Sequence, residues 1–331
     1  MPNDPLKTIL ETVNLTVGYT HQSKKNILFE NLSLKLKRGE MVCFMGQNGI
    51  GKSTLIRTIA ALQPPLDGVV KYYTGITDLK LLSQHLAVVL TDRITALNMT
   101  VYDIVSFGRY PYLDWHVRLR HEDEAYIHQT LAEVRISHLK NKRLYELSDG
   151  QLQMVMIARA VIQDTPIILL DEPTAHLDLN NRLEIMNLLR RLAHDHQKAI
   201  LISTHELDLA LQTADTVWLA GSNKDIICGM PEDLVLNGAF DLTFQFKGFD
   251  LRTGKVQHEQ HRGLAIKLNG SGHIYLWTKN ALERTGFTVT EGDAKHVIDV
   301  NEDGGILQWR LDNKTFFSSL ELLLHHFEDK L

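Results

Sequence analysis

The chain has 331 residues and an ordinary globular composition, 44% apolar and 23% charged, and this length favours about two domains. Its formal charge of −5 disfavours a nucleic-acid binder that relies on bulk electrostatics, since such domains are usually basic. The two cysteines, Cys43 and Cys228, are too few for a disulfide framework or a zinc site, which indicates a reducing compartment. No apolar run approaches the roughly 18 residues of a membrane span, so we expect a soluble, cytoplasmic protein.

Four short apolar segments predict the strands of an α/β core. They alternate with amphipathic stretches and read MVCFM (41–45), IILL (167–170), AILIS (199–203) and VWLA (217–220). Runs this apolar are typical of strands in a mainly parallel sheet that helices cover on both faces. From about 92 to 160 the pattern becomes helical, as in DEAYIHQTLAEVRI, which predicts a helical subdomain inserted into the core.

The segment GQNGIGKST follows the first of these strands and precedes the helical LIRTIAAL. Its glycines let the backbone curl so that successive N–H groups point at phosphate oxygens, and the helix that starts there adds its positive end. Lys52 is then placed to reach the β and γ phosphates, and the Ser53 hydroxyl to bind Mg²⁺. The predicted phosphate-binding residues are Gly46, Gln47, Asn48, Gly49, Ile50, Gly51, Lys52, Ser53 and Thr54.

Two further strand ends carry polar residues that suit phosphoryl transfer. In IILLDEPTAHLD, the apolar run ends in Asp171 and Glu172, which places both carboxylates at the edge of the sheet where α/β proteins bind ligands. We expect Asp171 to hold Mg²⁺ through water and Glu172 to orient and deprotonate the attacking water. His205, in AILISTHELDLA, is either a surface or capping residue or a ligand of the γ-phosphate at the same edge.

The segment LSDGQLQMVMIARA begins at Leu147, about 20 residues before the Asp-Glu pair. With these elements in this order, the first 240 or so residues resemble the nucleotide-binding subunits of ABC transporters, which are P-loop NTPases that use ATP and Mg²⁺. The resemblance implies a role for each matched residue: Tyr19 in VGYT stacks on adenine, Ser148, Gly150 and Gln151 form the signature, Asp178 in AHLD belongs to the D-loop, and His205 is the switch histidine. For Tyr19 the alternative is packing against its neighbouring strands.

The sequence departs from the family pattern at two positions of this core. Thr91, in LAVVLTDR, stands where the family usually has glutamine, and its shorter side chain would reach Mg²⁺ or the attacking water through a bridging water. Asp149 replaces the glycine between Ser148 and Gly150, where a carboxylate facing the γ-phosphate would be repelled. We therefore expect Asp149 to point away from the nucleotide.

The resemblance also implies partners and a mechanism. Two copies would sandwich two ATP molecules, each between Lys52 and Ser53 of one copy and Ser148 and Gly150 of the other, while membrane permease subunits hold the ATPase at the inner face of the membrane. The segment MTVYDIVSFGRYPYLDW is similar to importers of iron chelates (siderophores), haem and cobalamin, which also use a substrate-binding protein. The alternatives are a soluble ABC ATPase acting on DNA or ribosomes and a transporter ATPase for another substrate. The acidic balance predicts no nucleic-acid partner.

Residues 244–331 predict a small α+β domain after an ATPase domain of residues 1–243. Two segments, LNGSGHIYLW and VNEDGGILQW, look like β-hairpins, and helical stretches follow each at about 280–285 and 316–328. The prediction is therefore two β-β-α units, either an old duplication or two hairpins that share turn residues for geometric reasons. This domain would regulate the ATPase by binding a ligand or extend the dimer interface.

Overall fold

The computed structural model describes residues 8–22, 24–74, 79–91, 98–113, 116, 118–221, 223–246, 249–251, 255–256, 262–303 and 306–328. The chain divides into two compact units, Met1–Gln245 and Phe246–Leu331, and the predicted boundary after residue 243 lies two residues from this division. Within the described ranges no helix combines the length and the apolar character that crossing a bilayer would require.

The first unit combines two sheets with helices. Its described strands are β1 (Thr8–His21), β2 (Lys24–Leu32), β3 (Lys35–Lys37), β4 (Met41–Met45), β5 (Asp67–Tyr72), β6 (Leu86–Val89), β7 (Ile167–Asp171), β8 (Ala199–Ser203), β9 (Thr216–Ala220) and β10 (Ile226–Gly229). Its described α-helices are α1 (Lys52–Ile59), α2 (Val101–Ser106), α3 (His121–Glu133), α4 (Asp149–Ile162), α5 (Leu179–His194), α6 (Leu207–Thr213), α7 (Pro231–Leu236) and α8 (Ala239–Phe244).

The central sheet has the order β10-β9-β4-β8-β7-β6, and all its pairings are parallel except that of β10 with β9. Every residue of β4, β7 and β8 is buried, which explains why these strands read as unbroken apolar runs. The four predicted strands coincide with β4, β7, β8 and β9, so the predicted α/β core is confirmed.

A second, antiparallel sheet packs on this core. Its strand β1 pairs with β2, β3 and β5, and helix α1 packs between the two sheets. The shared core includes Phe29 from the second sheet, Leu55 from α1 and Phe44 from the central sheet, all fully buried. The packing holds the start of α1 against strands of both sheets.

A helical segment lies between β6 and β7. It contains α2, α3 and α4, and α2 packs against α4. Outside the helices, one isolated bridge joins Thr100 to Arg143 in this described segment. The beginning of the predicted subdomain, residues 92–97, lies outside the described residues.

Arg109 joins several parts of this helical segment. Its guanidinium lies 4.5 Å from the ring centroid of Tyr112 and 5.3 Å from that of Tyr126, and its Nε donates to Asp123 Oδ1 at 2.8 Å. Its Nη1 also donates to the carbonyl of Ile162, at the end of α4, at 3.4 Å. Burial alone would raise the pKa of Asp123, but the Arg120 N–H and the Arg109 guanidinium hold that pKa below its ordinary value. Arg109 thus anchors the carboxyl end of α4.

The second unit is a separate α+β domain. Its described strands are β11 (Phe249–Asp250), β12 (Lys255–Val256), β13 (Ala265–Asn269), β14 (Thr288–Thr290), β15 (His296–Asp303), β16 (Ile306–Leu311) and β17 (Thr315–Phe317), and its helices are α9 (Gly272–Arg284) and α10 (Leu320–Glu328). The main sheet has the order β14-β13-β15-β16-β17, in which β13 is parallel to β14 and β15, while β16 and β17 are antiparallel to their neighbours. Residues of the sheet and of both helices form one core.

The prediction of two β-β-α units is wrong. The hairpin of β15 and β16 is present, but the segment LNGSGHIYLW is strand β13 followed by helix α9. Ile274, Thr278 and Leu282 are buried at a spacing of four residues, so a helix covers the core where a second strand would place alternate residues. The helix predicted from residue 280 therefore begins at Gly272, and the one predicted from residue 316 begins at Leu320, after β17. The second half of LNGSGHIYLW is helical, whereas the second half of VNEDGGILQW is a strand, so the similarity of the two segments does not reflect a structural duplication.

Candidate nucleotide-binding site

The loop between β4 and α1 has a backbone that requires glycine. Gly49 and Gly51 have φ angles of 78° and 117°, in the left-handed region that favours glycine. A Cβ on Gly51 would also lie 2.9 Å from Leu28 Cδ1. Gly51 is the N-cap of α1, and no side chain caps this helix. The first N–H groups of α1 therefore lack a side-chain acceptor, which suits an anion-binding site.

Lys52 is buried at the start of α1, with 5% of its surface exposed. Its Nζ donates to the carbonyl oxygens of Gly46 at 3.0 Å and Gln47 at 3.4 Å, and lies 3.8 Å from Glu172 Oε1. Burial lowers the pKa of Lys52, while the carboxylates of Glu172 and Asp171 act in the opposite direction. The loop carbonyls thus hold the amine beside the two acids.

Asp171 ends strand β7 and is 1% exposed. In the parallel register it lies opposite Ser203, the last residue of β8. Ser203 Oγ donates to Asp171 Oδ1 at 2.6 Å, and Thr91 Oγ1 donates to Oδ2 at 3.3 Å. Ser203 Oγ also accepts from the Glu172 N–H at 2.9 Å. A single serine hydroxyl therefore orients both acidic residues.

The Glu172 carboxylate lies between the side chains of Lys52 and His205. Its Oε1 is 3.8 Å from Lys52 Nζ and its Oε2 is 3.6 Å from His205 Nδ1. Its φ of 47° lies in the left-handed region, which costs energy for a residue with a side chain. The side chain of Glu172 is 27% exposed and that of His205 is 46% exposed, so solvent reaches the pair.

Tyr19 lies beside the first turn of α1. It sits near the end of β1, where it pairs with Asn26, and its hydroxyl shares a hydrogen bond with the Thr54 hydroxyl. Its side chain is 48% exposed, so it is not packed into the core of the two sheets. Gln47 donates from Nε2 to the carbonyl of Thr243 at 2.9 Å, which ties the loop to the end of α8.

The predicted signature residues form the start of helix α4. Ser148 is its N-cap, and Ser148 Oγ accepts from the Gln151 N–H at 3.3 Å while Gln151 Oε1 accepts from the Ser148 N–H at 3.2 Å. Gly150 is buried, and a Cβ there would lie 2.7 Å from Asn181 Nδ2. Asp178 caps the neighbouring helix α5 and accepts from the backbone and side-chain nitrogens of Asn181 at 2.9 and 2.7 Å. The Asn181 side chain thus bonds to the cap of α5 and lies against the first turn of α4.

The structure divides the predicted site residues between two groups. Lys52, Asp171, Glu172, Thr91 and His205 are connected at the end of the central sheet by the contacts described above, and Tyr19 and the P-loop adjoin them. The hydrogen bonds given above for the signature and D-loop residues run instead among themselves and to Asn181.

Sequence reasoning missed Ser203 and Asn181. Ser203 had a signal, because it ends the run AILIS beside the strand that ends in Asp171. Asn181 lies inside an ordinary amphipathic helix pattern, and nothing in its local sequence marks its contact with Gly150.

Comparison with known families follows the division into two units. A family model described as ABC transporter matches residues 29–175, and one described as Iron ABC transporter C-terminal domain matches residues 262–328. A relative from Methanocaldococcus jannaschii, the uncharacterized ABC transporter ATP-binding protein MJ0873, is 41% identical over 242 residues, which are 71% of this chain and 82% of that protein. This chain belongs to the ABC transporter ATP-binding proteins. It is therefore an ATP-binding cassette ATPase, and the predicted family, fold and enzyme class are confirmed.

Other similar proteins add detail to this family assignment. The petrobactin import ATP-binding protein FpuD of Bacillus anthracis is 34% identical over 234 residues, 70% of this chain and 84% of that protein. A solved dimeric structure of the ATP-binding cassette MJ0796, in a post-hydrolysis state with ADP and Pi, matches with a TM-score of 0.57 at 25% identity. That match covers 67% of this chain and 99% of the cassette.

Proposed function

We propose that this ABC ATPase energises the uptake of an iron chelate (siderophore), haem or cobalamin through a membrane permease. The match of residues 262–328 to an iron transporter domain supports this substrate class, and so does the relative named for petrobactin import. Because the matching domain is named for iron, we favour an iron chelate among the three.

The observation that carries the hydrolytic mechanism is the position of Glu172 between Lys52 and His205. Glu172 would accept a proton from the water that attacks the γ-phosphorus, while His205 bonds the γ-phosphate and that water. Lys52 would leave its carbonyl partners in the loop to neutralise the β and γ oxygens. Ser203 would keep the Glu172 backbone in place through its hydrogen bond to the N–H.

The residues near the loop fit a Mg²⁺ ion. Ser53 offers an exposed hydroxyl in the first turn of α1, Asp171 offers carboxylate oxygens, and the Thr91 hydroxyl lies 3.3 Å from one of them. Hard oxygen ligands of this kind are those that Mg²⁺ prefers, often with several waters retained. Bound there, Mg²⁺ would neutralise charge that develops on the transferring phosphoryl group. Tyr19 would offer its exposed ring to the adenine.

We further propose that two copies close around two ATP molecules. Ser148 and Gly150 of one copy would meet the γ-phosphate held by the other, with the positive end of α4 directed at it. The negative charge of the γ-phosphate would be stabilised best in the closed dimer, and hydrolysis would remove that stabilisation. The dimeric solved cassette supports this arrangement. In the cell, the permease would bind the ATPase at the inner face of the membrane.

Glu172→Gln tests this mechanism. We expect turnover to fall about 100- to 10,000-fold, the usual contribution of a general base, while ATP still binds and a dimer accumulates in its presence. ATPase assays and size-exclusion chromatography with and without ATP measure both effects. Glu184→Gln, an exposed acid on α5, is the matched control and should behave as the unchanged protein. Normal turnover in Glu172→Gln would refute the base assignment.

The transport role needs a separate test. The protein purified from membranes should carry integral permease subunits, and its ATPase rate should rise when the complex meets a binding protein loaded with the correct substrate. A ferric siderophore, haem and cobalamin can be compared in that assay. Recovery of ribosomes or DNA in place of a membrane protein would contradict the importer assignment.

A further inference from the structure

Arg182 connects the loop that follows β7 with the loop that follows β8. It lies near the start of α5, and its side chain is partly exposed. Its Nε donates to the carbonyl of Leu177 at 2.6 Å in the first loop, and its Nη1 donates to Glu206 Oε2 at 2.8 Å in the second. Because the guanidinium is a rigid plane, these two hydrogen bonds hold the loops at a set distance from each other.

Glu206 depends on this contact because its carboxylate is largely removed from water. Only 9% of its side chain is exposed, and among the described residues Arg182 is the one cation within ion-pair distance of it. A carboxylate in this position is costly unless a cation and hydrogen bonds compensate for the lost hydration. The backbone is also held, since the Glu206 N–H donates to Thr204 Oγ1 at 3.0 Å and the Glu206 carbonyl accepts from the Ala210 N–H at 3.1 Å. Without Arg182, the carboxylate would turn toward water and the loop would move with it.

His205 lies between two residues that are fixed in this way. Thr204, on one side, is 2% exposed, and its N–H donates to the carbonyl of Phe44 in β4 at 3.0 Å. Glu206, on the other side, is held by the guanidinium. The imidazole is about half exposed and lies 3.6 Å from Glu172 Oε2, so its direction depends on the backbone on either side of it.

The two loops are joined at their beginnings as well. Glu172, the first residue after β7, donates from its N–H to both the hydroxyl and the carbonyl oxygen of Ser203, at 2.9 and 3.1 Å. Further along the first loop, Leu177 is 5% exposed and is followed by Asp178, which caps α5. The Arg182 contact therefore adds a second connection at the far end of the loops. With one connection the loops could pivot about the strand ends, whereas two connections fix the position of one loop relative to the other.

We propose that Arg182 is a positioning residue for hydrolysis, which keeps His205 beside Glu172 by tying the two loops together at their far end. This role rests on the hydrolytic function proposed above for Glu172 and His205, and it adds a residue that lies outside the sequence motifs of the site. Within the described residues the side chain of Arg182 bonds to neither the P-loop nor Asp171. Its removal should therefore affect the chemical step and leave nucleotide binding in place.

Arg182→Met in the full-length protein tests this role, since methionine keeps the apolar part of the side chain and removes both hydrogen bonds. We expect kcat for ATP hydrolysis to fall about 10-fold while the KM for ATP stays within about twofold. Arg190→Met is the matched control, because Arg190 is an exposed arginine on the same helix that donates to the carbonyl of Gln212 at 3.4 Å, and its loss should leave kcat unchanged. Circular dichroism confirms that both variants are folded. An unchanged kcat in folded Arg182→Met overturns the proposal.

Glu206→Met breaks the same contact without leaving a buried charge, so it tests the proposal even if Arg182→Met does not fold. The freed guanidinium stays solvated because the Arg182 side chain is 34% exposed. We expect the same loss of kcat, about 10-fold, and no further loss when both substitutions are combined, because each removes the same connection. Losses that multiply in the double variant would show that the two residues act independently, which contradicts the proposal.

A His205→Ala background shows whether Arg182 acts through the histidine. There Arg182→Met should lower the single-turnover rate by less than about twofold, since the side chain that it positions is gone. An equal loss in both backgrounds would show a general effect on the fold and would refute the positioning role.

The role of Arg182 and the hydrolytic function can fail separately. If His205→Ala lowers turnover and Arg182→Met does not, the function stands and the role of Arg182 is refuted. If His205→Ala turns over at the normal rate, the catalytic role proposed for His205 is itself refuted, and the role of Arg182 with it.

Discussion

The two helix starts that carry the candidate nucleotide site are capped differently. Helix α1 has no side-chain cap and no acidic residue in its first turn, and the cation Lys52 is its first residue. Helix α4 has Ser148 and Gln151 in a capping box and Asp149 in its first turn. The start of α1 has no side-chain acceptor and is open to an anion, while at the start of α4 the capping box already pairs the Ser148 and Gln151 N–H groups within the single chain. This contrast supports the proposed division, in which α1 would bind nucleotide in each copy and α4 would take part when a second copy brings a phosphate.

Lys52→Ala should give the largest effect at the α1 end. Losing one or two charge-assisted hydrogen bonds should lower ATP affinity about 10- to 100-fold, measured by isothermal titration calorimetry on the monomer. Lys198→Ala is the control, because Lys198 is another buried lysine. Its amine donates to Asp164 at 3.0 Å, and it is not one of the predicted site residues. We expect that control to lose stability but keep ATP affinity. Equal losses of affinity would show that Lys52 acts through folding alone.

Ser203→Ala should separate turnover from binding at the same end of the site. Without the hydroxyl, Asp171 and the Glu172 backbone both lose a hydrogen bond, so kcat should fall about 10-fold while ATP affinity changes little. Ser106→Ala removes another buried serine hydroxyl, bonded at 2.7 Å to the carbonyl of Asp103, and should not change kcat. An unchanged kcat in Ser203→Ala would mean that the register of β7 and β8 orients the acids unaided.

Arg109→Met should affect the α4 end of the site. Losing the anchor at the carboxyl end of α4 should weaken ATP-dependent dimerisation about fivefold and leave the ATP affinity of the monomer unchanged. The free energy of unfolding should fall by about 1–3 kcal/mol.

The stability loss in Arg109→Met should also depend on pH. Because the pKa of Asp123 is lower in the folded state than in the unfolded state, the stabilisation from ionised Asp123 is present above its unfolded pKa and is lost as the pH falls through the folded pKa. The stability difference, followed by urea unfolding, should therefore shrink at acidic pH. A pH-independent difference would point to packing instead of charge.

Asp149→Gly should give the smallest effect. Asp149 is exposed in the first turn of α4, where its charge favours the helix by about 0.3–1 kcal/mol. We expect ATP-driven dimerisation to stay within about twofold of the unchanged protein, since this contribution stabilises the helix within each copy and not the contact between copies. Analytical ultracentrifugation in the Glu172→Gln background measures it. A large gain in dimerisation would instead show that the carboxylate faces the γ-phosphate.

Prediction from sequence succeeded for the core strands, because strands buried on both faces read as unbroken apolar runs. The P-loop is one short segment and the Asp171-Glu172 pair is another, and the fold places Lys52 of the first beside Glu172 of the second. It failed where the outcome depended on distant partners. The segment after Asn269 has residues that suit a strand, but the core accepts Ile274, Thr278 and Leu282 at helical spacing.

The sequence alone determined the family, the α/β core and the motifs that carry the lysine, the two acids and the histidine at one end of a sheet, because each is encoded by a short motif or a local periodicity. Tertiary structure decided that Ser203 orients both acids, that the Asn181 side chain lies against Gly150, and that Trp277 stands exposed at a cleft between α9 and α10. These depend on strand register and helix packing, which join residues far apart in the chain and leave no local pattern.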